Sequence, residues 1–178
     1  MKNVLNSRGF KFSILILVTS VTIFASGCAT CPKPAAYNIQ VNLDPPLKGK
    51  SVVVHLVGVN PANLPRWEAY SMASYWNQGD PMRTDSASDR VSFDFVSADS
   101  LSQTLTMTEP HWKAWKAKGV TYVLVLADTP PSHTDKPGDA DDRRSKLSLD
   151  SCHWVKGTKT LTVLVQQSGI QVQTPTRQ

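Results

Sequence analysis

Apolar residues change their period several times along this 178-residue chain, and each change predicts an element. A basic stretch holding Lys2, Arg8 and Lys11 leads into a mostly apolar run of 13 residues, 12–24, which is short of the roughly 20 residues that span a bilayer. From Tyr37 the pattern alternates: Tyr37, Ile39, Val41 and Leu43 stand between Asn38, Gln40 and Asn42, the signature of a half-buried strand. A turn rich in proline and glycine follows over residues 44–50. Residues 51–59 are then a β-branched run, continuous enough to be a central strand of a packed sheet. The short link predicts that these two strands are antiparallel neighbours. Over residues 60–76 the spacing of Leu64, Trp67, Tyr70 and Ser74/Tyr75, with Pro65 in the first turn, predicts one short amphipathic helix capping an open end of the sheet. Residues 91–95 alternate again, and 101–107 do so more loosely. A second short helix is expected over residues 109–118, started by Pro110 and stopped by Gly119, with Lys116 and Lys118 facing its C-terminal dipole. An apolar strand at 120–127 and shorter strands around Leu147/Leu149, 161–165 and Ile170/Val172 complete the series, with turns at Gly157 and Gly169. The sum is a mainly β chain: an antiparallel β-sandwich of about seven short strands with two short helical insertions.

The N-terminal pattern also sets the compartment. A basic segment, a short apolar run and then Ala25, Ser26 and Gly27 have the order of a secretory signal peptide. Ala-Ser-Gly-Cys at 25–28 resembles the bacterial lipobox, in which a peptidase cuts before a cysteine whose sulfur has received diacylglycerol. Small residues suit a stretch that threads an intramembrane active site, and a thiolate is the nucleophile that takes the lipid. Cys28 is therefore the expected lipidation site, and the membrane the expected first partner. The expected organisation is a signal peptide over 1–27, a lipidated tether over 28–36 and a β-sandwich domain over 37–178. Pro32 and Pro34 make the tether semi-extended. Ala29, with no aspartate at that position, resembles the enterobacterial sorting pattern that implies delivery to the outer membrane, with the domain in the periplasm.

Charge changes little in this picture. The chain carries 19 Lys+Arg against 14 Asp+Glu, and loss of Lys2, Arg8 and Lys11 with the signal leaves 16 against 14, a net +2. A nucleic-acid partner would want a clustered basic stripe; Arg143, Arg144 and Lys146 are instead preceded by Asp139, Asp141 and Asp142. With Cys28 lipidated, Cys31 and Cys152 form an even pair in an oxidising compartment, which favours a bridge between them. Two free thiols are the alternative.

No motif for a nucleophile elbow, a phosphate loop or a zinc protease is present, so no enzyme activity, cofactor or metal is expected. The four histidines (His55, His111, His133 and His153) stand apart, and His55 reads as an ordinary strand residue. Residues 128–144 form a long loop of mixed charge whose Asp135, Asp139, Asp141 and Asp142 do not have EF-hand spacing and can pair with Arg143 and Arg144 instead. Trp67, Tyr70 and Tyr75 are the densest aromatic group, suited first to a core. With the acidic loop they offer an alternative function, a periplasmic lipoprotein that binds a glycan or other small ligand.

Taken together, the lipobox cysteine, the opening strand at Val41, the strand 49–57, the aromatic helix with Trp67, the strand 120–128, Trp154 and the closing strand 161–165 resemble the outer-membrane lipoproteins of the type VI secretion system. That resemblance implies a transthyretin-like β-sandwich with extra short helices. It also implies a non-enzymatic role: tethering the periplasmic domain of an inner-membrane-anchored protein to the outer membrane through a loop between early strands. The matching link here is 44–50, with Leu47 and Lys48 as contact candidates and Trp67 and Tyr70 as further candidates for partner binding.

Overall fold

The computed structural model describes residues 34–95, 100–129 and 135–178, within one compact unit, Cys31–Gln178. The expected signal peptide, Cys28 and Cys31 lie outside the described residues. Among the described residues, eight strands form two sheets. In the first, β1 (Asn38–Leu43) lies between β4 (Ser102–Leu105) and β7 (Thr160–Gln166), with β8 (Gly169–Val172) beyond β7. In the second, the order is β3 (Arg90–Phe95), β2 (Val52–Val59), β5 (Tyr122–Ala127) and β6 (Arg144–Ser148).

The expected sandwich is present, with two corrections to its topology. First, β1 and β2 are not neighbours; the link 44–50 carries the chain from one sheet to the other. Second, β1 pairs with β7 in parallel, Asn38 opposite Thr160 and Leu43 opposite Val165, so the sandwich is antiparallel except for this pair. Side-chain period explains the first correction. A hairpin would put Ile39, Val41 and Leu43 beside Val52, Val54 and Leu56 on one face of one sheet, whereas facing sheets let the two sets interdigitate across a dry core.

That core takes Ile39, Val41 and Leu43 from β1, Leu161, Val163 and Val165 from β7, and Val52, Val54, Leu56, Val123 and Val125 from the central strands. The other faces of β2 and β5 are buried too. Val57, Val59, Leu124 and Leu126 form a second core with Trp67, Met72, Tyr75 and Met82. This is why residues 52–59 and 122–127 are continuously apolar: the second sheet is the middle layer of three. The third layer is helical. In place of one helix over 60–76, the chain makes α1 (Leu64–Glu68) and α2 (Met72–Trp76), and a further helix, α3 (Pro81–Asp85), follows. The break is local chemistry. Ser71 turns extended (φ −69°, ψ 127°) and its hydroxyl accepts the Ser74 N–H at 3.0 Å, starting a new helix. Asp80 starts α3 in the same way, accepting Arg83 N–H at 2.8 Å. These helices lie on the outer face of the middle sheet and not over its end.

The ends of the sandwich are closed differently. At the end where β1 begins, α4 (Pro110–Ala117), predicted from Pro110 and Gly119, lays Trp112 and Trp115 into the main core, to which Trp154 also belongs. Trp115 sits against Gly58, where a Cβ would lie 2.6 Å from the indole nitrogen. At the far end, where β1 stops, Leu47 fills the gap.

Candidate functional site

Strand direction gives the molecule a proximal end, where the chain enters at residues 34–37, and a distal end, where the link 44–50 crosses between sheets. They are separated by the six residues of β1, about 20 Å at ~3.3 Å per residue. The distal link is a rigid turn. Pro45–Leu47 is a single 3-10 turn; Leu47, Lys48 and Lys50 N–H donate to Asp44, Pro45 and Leu47 carbonyls at 2.8–3.0 Å, and Asp44 N–H donates to Val165 at 2.9 Å. Gly49 closes it with φ +77°, a conformation side chains rarely adopt. Leu47 was expected to meet a partner, but it is 1 % exposed and belongs to the main core. A short apolar side chain at a crossover between sheets gains more from the inter-sheet gap than from water. What the link presents outward is Pro45, Pro46, Lys48 and Lys50.

The aromatic group is likewise internal. Trp67 and Tyr75 are buried in the second core, 5.8 Å apart by ring centroid. Tyr70 is half-buried, and its hydroxyl donates to the buried Asp80 carboxylate at 2.5 Å. Tyr75 is fully buried and Trp67 nearly so, and both rings are used mainly for packing, which leaves little aromatic surface for a glycan.

The mixed-charge loop is also structural. Both arginines, expected to pair with the aspartates of this loop, are buried. Arg144 donates to the carbonyls of Trp67, Tyr70 and Glu68 at 2.6–3.2 Å, satisfying the last carbonyls of α1, and to Gly138 and Lys136 of its own loop. Arg143 grips both oxygens of Asp141 at 3.0 and 2.9 Å and reaches Asp135 as well. Asp135 in turn accepts from the Ser71 hydroxyl and from Ala73 N–H at 3.1 Å, tying the loop to the start of α2. Burial alone would raise the Asp135 and Asp141 carboxyls; hydrogen bonds from Ser71 and Arg143 to the first, and from Arg143 to the second, outweigh it and hold both below the usual carboxylate range. Among the described residues no group of three or more His, Cys, Asp or Glu is placed to hold a metal ion.

His55, read as an ordinary strand residue, sits in a polar spot under the helices. Its Nδ1 lies 2.8 Å from the Tyr75 hydroxyl and its ring 4.7 Å from that of Trp76. Burial first, then the Arg90 and Arg83 charges, lower its pKa to about 3, so the imidazole is neutral and shares one hydrogen bond with that hydroxyl. Periodicity carries no signal for this contact, because it joins residues 20 apart in sequence through the packing of α2.

The proximal end holds what sequence reasoning missed. Ala35 N–H donates to Leu149 at 3.0 Å, so the last tether residues already belong to the domain. Beside them runs an apolar groove of about 850 Å³, floored by Ala35, Trp112, Trp115, Val120 and Leu149 and rimmed by Lys113 and Lys116. Cys152, in the turn after β6, is disulfide-bonded to a cysteine outside the described residues; Cys28 and Cys31 are the other two in the chain.

No protein-family model matches the chain, and no curated protein matches it in sequence. Three solved structures are similar in outline. Serratia marcescens Lip, a membrane-bound component of the type VI secretion system, is 12 % identical over 78 % of this chain and 97 % of its own, with a TM-score of 0.47. A chain of a type VI membrane complex is 9 % identical over 76 % and 95 %, with a TM-score of 0.49. The type VI lipoprotein TssJ1 from Pseudomonas aeruginosa is 14 % identical over 82 % and 98 %, with a TM-score of 0.42. Those descriptions belong to those proteins.

Proposed function

We propose that this chain is a lipid-anchored tether: acylated at Cys28, held to the outer membrane, and offering its distal link to a protein partner in the periplasm. The observation that carries this reading is the separation of the two ends. The chain enters at the proximal end, where a lipid-bearing segment would attach, and the link 44–50 stands about 20 Å further out, fixed by Leu47 and Gly49. A rigid turn displayed away from the anchor is what a tether needs, because little entropy is lost when a partner closes on it. Lys48 and Lys50 are its charged contacts. Buried use of Trp67, Tyr75, Arg143 and Arg144 for packing and capping fits a scaffold better than a ligand-processing protein. The resemblance noted in the sequence makes the partner an inner-membrane-anchored component of a type VI secretion membrane complex. A Cys31–Cys152 bridge completes the attachment of tether to domain.

The test is photo-crosslinking in the native host, with the reactive amino acid at Lys48 in one strain and at Lys113 in another. An adduct with an inner-membrane-anchored protein is expected from position 48 alone. Failure of position 48 to capture any such protein, in cells where the N-terminal peptide is acylated by mass spectrometry, overturns the contact site.

A further inference from the structure

The proximal end carries more than an attachment point. Lys113 and Lys116 rim the groove, Lys156 stands in the turn before β7, and Lys159 accepts the Asn38 N–H at the first residue of β1. All four are exposed, and none is in an ion pair among the described residues. Arg177 joins them, its N–H on the His153 carbonyl. Opposing acids are fewer: Glu109 is exposed at the start of α4, Asp150 keeps its charge while accepting the Cys152 N–H at 2.8 Å, and Asp89 is paired with Lys118 at 2.6 Å. Met107 and Val155, the large hydrophobic side chains that stand exposed among the described residues, lie in the segments that close this same end. Met107 N–H donates to Asn38 Oδ1, and Val155 sits in the turn that leads to β7.

We infer that the proximal end is a lipid-docking face, which seats its lysines on the phosphate headgroups of an anionic bilayer and turns its apolar groove toward the membrane interface. This rests on the acylation of Cys28 proposed above and goes beyond it, because acylation alone leaves the domain free to tumble. Two observations select a bilayer as the occupant. One is charge: exposed cations around an apolar floor match anionic headgroups over an apolar interior. The other is chain length. Five residues lie between Cys28 and Pro34, six Cα–Cα steps that reach at most about 20 Å when fully extended. If the partner of Cys152 is Cys31, the free span falls to three Cα–Cα steps, about 10 Å, close to the Debye length at ~0.1 M salt. The proximal lysines are then held where an anionic surface acts on them continuously.

The test is amine-reactive footprinting of the mature acylated protein on vesicles, read by mass spectrometry, with Lys48 and Lys50 as internal controls at the other end. On phosphatidylcholine vesicles containing about a third phosphatidylglycerol, labelling of Lys113, Lys116, Lys156 and Lys159 is expected to slow about fivefold relative to detergent micelles, with Lys48 and Lys50 unchanged. A Lys113→Glu/Lys116→Glu variant is expected to lose that protection at Lys156 and Lys159. Equal labelling at both ends, equal protection on pure phosphatidylcholine, or protection that persists in micelles (a second copy of the chain in place of lipid) each overturns the docking face. The same spectra report the mass of the Cys28 peptide. An unmodified thiol there sinks the tether itself, whereas an acylated peptide with unprotected lysines sinks only this inference.

Discussion

At the scale of single residues, the middle sheet holds two positions where one atom decides the outcome. His55 is neutral because it is buried beside Arg90 and Arg83, with its pKa lowered from 6.5 to about 3. An unfolded chain protonates this imidazole below about 6.5 while the folded chain resists, so the unfolded state binds more protons as pH falls and stability declines between roughly 6.5 and 3. Urea unfolding at pH 7 and pH 5 should differ by about 2 kcal/mol from this group, and His55→Gln should flatten that slope whatever it does to stability at pH 7. Gly58 is the second position. A Cβ there would lie 2.6–2.7 Å from the Trp115 indole, whose Nε1 donates to the Asp89 carbonyl at 3.2 Å. The ring cannot retreat without breaking that bond, so Gly58→Ala should destabilise by about 1–3 kcal/mol in the same assay.

Among the elements, the helical layer is the part whose stability comes from elsewhere. Helices α1, α2 and α3 have five residues each, too short to hold alone. They persist because Met72, Tyr75 and Met82 pack on β2 and β5, and because charged side chains hold their ends. Arg144 on β6 is the main one, donating to three carbonyls at the end of α1. Arg144→Met leaves those buried acceptors without their donors and should cost about 3–5 kcal/mol, with hydrogen exchange rising across residues 64–76 before global unfolding. Arg66→Ala is the matched control. Its pair with Asp85 is 3.5 Å long and more than 60 % exposed on both sides, so it should change stability by less than about 0.5 kcal/mol.

For the whole molecule, the division into a proximal and a distal end turns a β-sandwich into a spacer with direction. The link 44–50 combines both demands in adjacent residues: Leu47 plugs the core, and Lys48 faces out. Leu47→Asp should therefore unfold the domain, costing more than about 3 kcal/mol and depleting soluble protein, so a lost interaction in that variant would say nothing about contact. Lys48→Glu should leave the thermal midpoint within about 2 °C of wild type while reversing the charge offered to a partner. Comparing the two by circular dichroism before any binding assay separates packing from recognition.

Side-chain period and local backbone chemistry were enough to read the strands, a central strand over 51–59, an apolar strand over 120–127, α4 with its Pro110 start and Gly119 stop, and the β-sandwich from the sequence; burial of both central strands on two faces came from the helical layer. Only the tertiary structure decided which strands are neighbours, since the same alternation in β1 and β2 serves a hairpin or two facing sheets, and only long-range packing distinguishes them. It likewise decided that Leu47 and Trp67 point inward, that Arg143 and Arg144 leave the solvent, and that His55 meets Tyr75. Each of these depends on residues far apart in the chain, and no window of neighbouring residues contains that information. The lysines of the proximal end were visible as letters. Their convergence beside an apolar groove was not, because it is made by α4, the turn before β7 and the first residues of the domain meeting at one end of the fold.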